Sequence, residues 1–160
     1  MNKTLFLILL VFSFLCGYSQ KPFIYNDNGK KEVATAQEMK DFVFAGLTER
    51  IKQLNQQLPV QIDEYTVMYS AVLNGTVINY NYTAYLDSSL LSESDIKEFC
   101  DEIKNVQKEN VLFLFKQNSD KMPVSEWIRL YKELGIKYNY NYIDENRRVW
   151  AKVVIDFNDF

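Results

Sequence analysis

The spacing of hydrophobic residues changes several times along this chain of 160 residues, and each spacing predicts a different element. The first run is continuous: Leu5 to Leu15 follows Lys3 and leads into Gly17-Tyr18-Ser19. A positive start, an apolar stretch shorter than the roughly 20 residues of a spanning helix, and small residues at its end are typical of a signal peptide. We therefore predict that residues 1–19 are removed on export and that Gln20 begins the mature protein.

Cys16 leaves a second interpretation open, in which a lipoprotein signal is cut before an acylated cysteine. The preceding residue, Leu15, is larger than the residue normally found there, which favours the ordinary signal peptide. The distinction matters because a lipid would anchor the protein to a membrane. In either case we expect an exported protein, periplasmic or extracellular. No later segment is apolar enough to span a membrane, since the longest candidate run is Val111 to Phe115.

Residues 20–31 are predicted to be a flexible lead-in, because Pro22 and the run Asn26 to Gly29 favour turns. Residues 32–160 then form a single domain. Its first element is a helix, because apolar residues recur at spacings of three and four until Pro59 ends the pattern. The residues of this stripe are Val33, Ala36, Met39, Val43, Leu47, Ile51, Leu54 and Leu58.

The period then changes to two on either side of Asn74-Gly75, which predicts a β-hairpin with strands at Tyr65 to Leu73 and Thr76 to Leu86. A two-residue type I′ turn sets the expected register. The apolar and aromatic face would pair Leu73 with Thr76, Ala71 with Ile78, Tyr69 with Tyr80 and Val67 with Tyr82. The more polar face would pair Ser70 with Asn79, Met68 with Asn81 and Thr66 with Thr83.

Two helices are predicted after this hairpin. Ser92 is the expected N-cap of the first, since acidic residues follow it and favour a helix start. Its apolar stripe consists of Ile96, Phe99, Cys100, Ile103 and Val106. We extend this helix through Val111 to Phe115, although a continuous apolar run is also compatible with a buried strand. The second helix runs from Ser125 to Leu134 and stops at Gly135.

The chain ends in a second β-hairpin around a turn at Asp144 to Arg147. Its alternating inner residues are Ile136, Tyr138, Tyr140 and Tyr142 in one strand and Val149, Ala151, Val153, Ile155 and Phe157 in the other. The order αββααββ predicts an α+β domain, in which two hairpins form one antiparallel sheet with about three helices on one face. The matching segments Asn79 to Tyr82 and Asn139 to Tyr142 indicate similar positions in the sheet, not a sequence repeat.

Several of these motifs resemble a group of small exported bacterial domains of unknown function. The resemblance covers roughly residues 58–157 and consists of the strand Asn74 to Tyr82, the long helix, the helix Trp127 to Leu134 with Gly135, and Ile136 to Tyr140 leading to Asp144. Members often carry a cysteine between the later helices and a glycine in the last turn, where this chain has polar residues near Asn118 and Arg147. The resemblance implies a fold and export, and no activity.

Composition excludes some functions. The chain is weakly acidic, with a formal net charge of −3, and its one arginine pair, Arg147-Arg148, lies beside Asp144 and Glu145. Without a basic cluster it is a poor candidate for nucleic acid. If Cys16 leaves with the signal, Cys100 is alone and no intramolecular disulfide forms. The position of Cys100 on an apolar helix face predicts a buried structural thiol.

The sequence holds no complete catalytic motif. The absence of histidine removes the commonest general base and most zinc sites. Ser94-Asp95-Ile96-Lys97 matches the S-x-x-K pattern without its companion motifs, so a helix start explains it better. A calcium loop around Gly29 lacks carboxylates at its ends. The solvated face of the helix accounts for Asp95, Glu98, Asp101 and Glu102. We therefore predict no catalytic residue, no metal site and no cofactor.

The strand tyrosines are the remaining candidates for binding. Stacking on a sugar or a peptide would use Tyr80, Tyr82, Tyr138 and Tyr140, with hydrogen bonds from Asn79, Asn81, Asn139 and Asn141. Strand parity favours a place in the core for these tyrosines instead.

The leading hypothesis is a non-catalytic binding or interaction module of the bacterial cell envelope. Its partner would be an envelope protein or peptide. One way in which such a partner could bind is by adding a strand to an exposed sheet edge. The alternatives are a glycan- or peptide-binding protein that uses the strand tyrosines, and a hydrolytic enzyme with carboxylate or Ser-Lys chemistry. The sequence does not predict an oligomeric state.

Overall fold

The structure of the protein is a computed structural model, which describes residues 24–25, 31–32, 35–119 and 122–160. The predicted signal peptide, Cys16 and the turn at Gly29 lie outside the described residues. Ile24–Tyr25 (β1) and Lys31–Glu32 (β2), at and just beyond the predicted lead-in, pair as a short antiparallel ladder. The domain boundaries at residues 19 and 31 stay predictions.

The described residues contain helices and strands in the predicted order. They are α1 (Ala36–Asn55), β3 (Val60–Gln61), β4 (Thr66–Asn74), β5 (Val77–Ala84), α2 (Glu93–Gln117), α3 (Val124–Glu133), β6 (Lys137–Ile143) and β7 (Val149–Asp156). Two short 3₁₀ turns follow β5 and β7, at Ser88–Leu90 and Phe157–Asp159. The α+β class and the order αββααββ are confirmed, with β3 as an additional strand. The run Val111 to Phe115 belongs to α2 and is therefore helical.

Local sequence explains where the later helices begin and end. Ser92 caps α2, and its side chain and that of Asp95 accept each other's backbone N–H. Gly135 follows α3 with a φ of 65°, a left-handed conformation that glycine adopts without steric cost. At this end the Ile136 N–H donates to the Tyr131 carbonyl oxygen at 3.0 Å. The predicted cap and stop are both confirmed.

In the described part of the chain, β3 to β7 form a five-stranded sheet in sequential order. Neighbouring strands are antiparallel except β5 and β6, which are parallel. A parallel pair requires a crossover connection, and α2 with α3 provides it here. Both predicted hairpins are present, but the junction between them is parallel, because two helices return the chain to the same end of the sheet.

The predicted register of the first hairpin is wrong throughout, for two reasons. Asn74 pairs with Val77, so the turn residues are Gly75 and Thr76. Gly75 has a φ of 61° and Thr76 has no positive φ, a combination that fits a type II′ turn better than the expected type I′ turn.

The second difference is a bulge in β4 at Tyr69, between Met68 and Ser70. The extra residue reverses the faces of the strand before it. Met68, which was expected on the polar face, is therefore buried opposite Tyr82, and Tyr69 is 42% exposed. Ala71 takes the expected place of Tyr69 opposite Tyr80. None of the seven predicted pairs forms, because the turn shifts the register by two residues and the bulge reduces this shift to one residue in the part of β4 before it.

The helices cover one face of the sheet. α1 packs on β4, α2 packs on β7, and α3 packs against the Phe157–Asp159 turn. The core between the helices and the sheet includes the buried side chains of Val43, Leu47, Leu54, Met68, Ile78, Tyr80, Tyr82, Val111, Phe115, Tyr131, Tyr140, Tyr142, Val153, Ile155 and Phe157. The alternation in β6 and β7 thus places Tyr140, Tyr142, Val153 and Ile155 inward, as predicted. Val149 was also expected inward, but a register shift beside the turn pairs it with Ile143, and it is 65% exposed.

The two matching Asn-Tyr-Asn-Tyr segments lie side by side. Asn79 to Tyr82 pairs in register with Asn139 to Tyr142 across the parallel junction. On the helix-covered face, the rings of Tyr80 and Tyr140 stack with their centroids 5.2 Å apart. On the other face, amide pairs follow the same order: Asn139 Nδ2 donates to Asn79 Oδ1 at 3.1 Å, and Asn141 Nδ2 donates to Asn81 Oδ1 at 3.0 Å.

The last hairpin closes through a three-residue loop in which Arg147 has a φ of 63°. The Arg147 N–H donates to the Asp144 carbonyl oxygen at 2.9 Å, and the Asp144 N–H donates to the Arg148 carbonyl oxygen at 2.9 Å. This is the place where the resembling domains carry a glycine. The tight turn forms here with an arginine in a left-handed conformation.

The outer edge of β4 is covered by the side chain of Asn55, at the end of α1. Its Nδ2 donates to the Ala71 carbonyl oxygen at 2.7 Å, and its Oδ1 accepts from the Ala71 N–H at 3.0 Å. One amide therefore satisfies both edge-facing backbone groups of Ala71, as a neighbouring strand would.

Candidate functional site: a cleft between the helices

A cleft of about 320 Å³ lies between α1 and α2. It exists because α1 packs on β4 and α2 packs on β7, so that the two helices lie over separate parts of the sheet. The lining side chains are Phe42, Val43, Ala45, Gly46, Leu47, Glu49, Arg50 and Gln53 from α1, Val111, Leu114, Phe115 and Asn118 from the α2 end, Trp127 and Tyr131 from α3, and Tyr138 from β6.

A smaller cavity of about 30 Å³ adjoins the cleft and shares Leu47, Arg50 and Tyr138 with it. The smaller cavity also touches Ile78 and Tyr80 of β5, so it lies nearer to the sheet. The cleft therefore has a deep end at the sheet, where Arg50 and the tyrosines meet.

Aromatic rings form the wall of the cleft at the α3 end. The ring of Phe115 stacks on Trp127 with a centroid distance of 5.8 Å and meets Tyr131 edge-on at 5.1 Å. Phe115 and Tyr131 are buried, and their positions are determined by packing against Phe157. The buried Nε1 of Trp127 has no hydrogen-bond partner among the described residues. This wall thus presents apolar surface and one unsatisfied donor.

Gly46 forms an open part of the opposite wall, on α1. A Cβ atom at this position would meet no atom within 4 Å. A larger side chain there would therefore enter the cleft without displacing the core, which makes Gly46 a useful position for testing the cleft.

Arg50 is the cation of the cleft. It is partly buried and forms no ion pair with any carboxylate of the described residues. Burial raises the pKa of the Tyr80, Tyr131 and Tyr138 hydroxyls, and the positive charge of Arg50 partly offsets the rise in each. Within the described residues, the charge of Arg50 thus acts on these hydroxyls without an ion-pair partner of its own.

The six residues predicted as candidate ligand contacts lie in three different places in the structure: at the cavities, in the core and on the opposite face of the sheet. Tyr138 lines the cleft, and Tyr80 lines its smaller neighbour. Tyr82 and Tyr140 are buried in the core away from both cavities, and Asn79 and Asn81 are half-buried on the opposite face of the sheet. The exposed tyrosines of this hairpin are others, namely Tyr69 in β4 and Tyr65 and Tyr85 beside the strand ends. Ligand contact by the six as one group stays a prediction, whereas the core placement of Tyr80, Tyr82 and Tyr140 agrees with strand parity.

Sequence reasoning missed Arg50, Gly46 and Trp127 as site residues. For Arg50 a signal was present, because it follows Leu47 by three positions and precedes Leu54 by four. A charged residue at core spacing on an apolar stripe indicates a functional or paired charge. The cleft itself had no such signal, since its walls come from elements distant in the chain.

The other candidate chemistry lies outside the cleft. At the start of α2, Ser94 and Lys97 are exposed, and the Lys97 ammonium pairs with Asp101 on the same helix, which raises the pKa of Lys97. Asp95 belongs to the cap formed with Ser92. Cys100 is half-buried, and burial raises the pKa of its thiol. None of these residues lines the cleft.

Comparisons with known proteins define no family for this chain. No protein-family profile and no curated protein matches it. Among solved structures, a Pseudomonas aeruginosa protein described as secreted is 15% identical, with a TM-score of 0.47 over 73% of this chain and 92% of its own. The type 2 secretion system pilotin of Vibrio vulnificus is 8% identical, with a TM-score of 0.45 over 74% and 92%. The type II secretion system pilotin of Vibrio cholerae is 14% identical, with a TM-score of 0.43 over 79% and 100%.

Neither a family nor an activity follows from similarity at this level. Among the described residues, no helix combines the length and the apolar character needed to cross a membrane.

Proposed function

We propose that this protein is an exported, non-catalytic binding module of the bacterial cell envelope, and that its cleft holds an apolar segment of a partner protein. The observation that carries the proposal is the cavity of about 320 Å³ with aromatic and aliphatic walls between α1 and α2. Cavities of this size and lining are typical of binding sites. Apolar side chains that enter it would gain about 25 cal/mol for each Å² removed from water.

One edge of the sheet favours the cleft over strand addition as the binding mode. At the β4 edge, Asn55 occupies both outward backbone groups of Ala71. A strand added at this edge would have to displace the Asn55 amide first.

The lining of the cleft favours binding over catalysis. Glu49 is its one carboxylate within the described residues, and its side chain is 54% exposed with Lys52 at 3.8 Å. Acid-base hydrolysis requires a second carboxylate nearby, and Ser-Lys chemistry requires Ser94 and Lys97 in a cavity. The described residues that line the cleft therefore include neither a pair of carboxylates nor the Ser94 and Lys97 pair that hydrolysis would require.

The test places a photo-crosslinking amino acid at Gly46, inside the cleft, and at Lys40, on the exposed side of α1. We expect a partner from the cell envelope to crosslink from position 46 and not from position 40. The crosslinked segment, identified by mass spectrometry and prepared as a synthetic peptide, should contain several large apolar residues.

The same peptide then tests the cleft directly. Gly46→Trp should fill the cleft and weaken binding at least tenfold, whereas Lys40→Trp adds the same ring outside it and should leave affinity unchanged. Fluorescence anisotropy of the labelled peptide measures both. Crosslinks that form equally from both positions, or equal affinities for both variants, would show that the partner binds elsewhere.

A further inference from the structure

Arg50 distinguishes this cleft from a purely apolar groove. Arg50 is partly buried and lines both the cleft, with Tyr131 and Tyr138, and the smaller cavity at the deep end, with Tyr80 and Tyr138. Arginine carries five N–H donors in a planar fork that matches the two oxygens of a carboxylate. A partly buried cation without a counter-charge is costly, because its lost hydration is not replaced by a partner.

The chain itself does not supply the missing anion within the described residues. Glu49 is the neighbouring carboxylate in the cleft lining, and it is directed to Lys52, at 3.8 Å, on the exposed surface. The arginines and lysines elsewhere with close acidic partners, such as Arg129 with Glu126 and Arg148 with Asp144, show the usual arrangement. Among the described residues that line the cleft, Arg50 is the cationic side chain, and it has no such acidic partner.

We infer that Arg50 binds the C-terminal carboxylate of a partner chain whose last residues are apolar and fill the cleft. This inference rests on the proposed function and names the chemistry of the bound segment. A chain terminus carries its carboxylate next to a large side chain, so it can reach Arg50 at the deep end while the preceding side chains contact the aromatic wall. An acidic side chain in the middle of a segment would need the backbone on both sides to enter as well. Charge complementarity and the position of Arg50 therefore favour a terminus.

The experiment uses fluorescein-labelled hexapeptides ending in Leu-Leu, Phe-Leu, Ile-Phe or Val-Trp, each made with a free C-terminal carboxylate and as the C-terminal amide. Binding to the purified protein is measured by fluorescence anisotropy. At least one carboxylate peptide should bind about tenfold more tightly than its amide, because a charge-assisted hydrogen bond to the guanidinium is lost in the amide.

Three variants test whether Arg50 causes the tighter binding of the carboxylate peptide. Arg50→Gln should reduce the affinity for the carboxylate peptide to that for the amide and leave amide binding unchanged. Arg129→Gln removes an exposed arginine of α3 and is the matched control, which should change neither affinity. Gly46→Trp should weaken both peptides. A circular dichroism spectrum and a melting curve verify that each variant is folded.

The outcomes separate the two proposals. Equal affinity of wild-type protein for carboxylate and amide, with loss of both in Gly46→Trp, would overturn the role of Arg50 and leave the apolar cleft as a binding site. Failure of every peptide to bind at about 1 mM would overturn the recognition of a peptide terminus and count against the proposed function. Tight binding of dodecanoate without binding of any peptide would assign the cleft to a fatty acid and overturn both.

Discussion

Asn141 donates a side-chain hydrogen bond to Asn81 across the parallel junction of β5 and β6, with Nδ2 and Oδ1 3.0 Å apart. Asn81 in turn donates through its Nδ2 to the Ser70 hydroxyl at 2.9 Å. A directed chain of side-chain hydrogen bonds therefore runs from β6 through β5 to β4 on the face without helices. It connects the two hairpins, which are separated in sequence by α2 and α3.

Removal of the Asn141 amide should weaken this connection. We expect Asn141→Ala to lower the free energy of unfolding by about 1 kcal/mol, the usual net value of one such hydrogen bond. In a double-mutant cycle with Asn81→Ala, urea denaturation should show a coupling of about 0.5 kcal/mol or more. Lys152→Ala, an exposed change on the same face, is the control and should have little effect. Additive effects of the two asparagine variants would show that the amides do not interact in solution.

Asn55 should protect the edge of β4. Asn55→Ala removes two hydrogen bonds to Ala71, so we expect the free energy of unfolding to fall by about 1 to 3 kcal/mol. The exposed edge should also promote association between chains, which size-exclusion chromatography at increasing concentration detects. Gln57→Ala, an exposed change two residues later, should alter neither property. An Asn55→Ala variant as stable and as monodisperse as wild type would show that the amide does not protect the edge.

Replacement of Arg147 in the last turn by glycine should stabilise the protein. The φ of 63° at Arg147 places a side chain in left-handed backbone, which costs a non-glycine residue roughly 1 kcal/mol. Arg147→Gly should therefore raise the free energy of unfolding by about 1 kcal/mol, measured by urea denaturation. Arg147→Ala keeps the Cβ atom and should give no such gain. Equal stabilisation by both variants would locate the effect in the lost charge, not in the backbone.

Asp144 connects the last turn to the segment after β5. It is buried, accepts from the Ser88 hydroxyl at 2.6 Å and from the Arg148 Nε at 2.9 Å, and shares Arg148 with Asp87. Burial alone would raise the pKa of the Asp144 carboxyl, but the hydrogen bonds from Ser88 and Arg148 and the charge of Arg148 outweigh it and lower that pKa from 3.8 to about 2. Asp156, beside Lys137, has its pKa lowered to about 2 mainly by the hydrogen bond from that lysine.

These two carboxyls should make the fold sensitive to acid. A carboxyl whose pKa is lower in the folded state stabilises the fold above its unfolded pKa, and this contribution disappears as the pH falls through the folded pKa. We expect the Tm to decrease as the pH falls from about 4 to about 2. Asp144→Asn should lower the Tm at neutral pH and reduce this acid dependence. Glu98→Gln, an exposed change on α2, should leave the slope as in wild type, and an unchanged slope in Asp144→Asn would assign the acid sensitivity to other groups.

Parts of the fold that depend on neighbours in the chain could be predicted from the sequence. Ser92 and Asp95 lie three positions apart and form the cap of α2 with local groups alone, and Gly135 ends α3 for the same reason. The alternation in β6 and β7 placed Tyr140 and Ile155 inward, because side chains of a strand alternate between faces whatever the strand pairs with. The first hairpin shows the limit, since a bulge at Tyr69 reverses the inward face and leaves no mark in a pattern of period two.

The candidate site was less accessible to sequence reasoning. Tyr138 and Tyr80 were named for their aromatic rings, but their neighbour in the structure is Arg50, a residue of a helix that precedes the sheet. Apolar and aromatic residues have the same signature in a core and in a cleft, because both exclude water. Which of the two forms depends on how far apart α1 and α2 lie on the sheet.

The sequence by itself determined the type and order of the main elements, the cap of α2, the end of α3 and the inward face of most of the last hairpin, because periodicity and hydrogen bonds between near neighbours control these. Only the tertiary structure decided the parallel junction of β5 and β6, the Asn55 contact with Ala71 and the cleft around Arg50. These depend on distances between residues far apart in the chain, which packing of the whole domain sets.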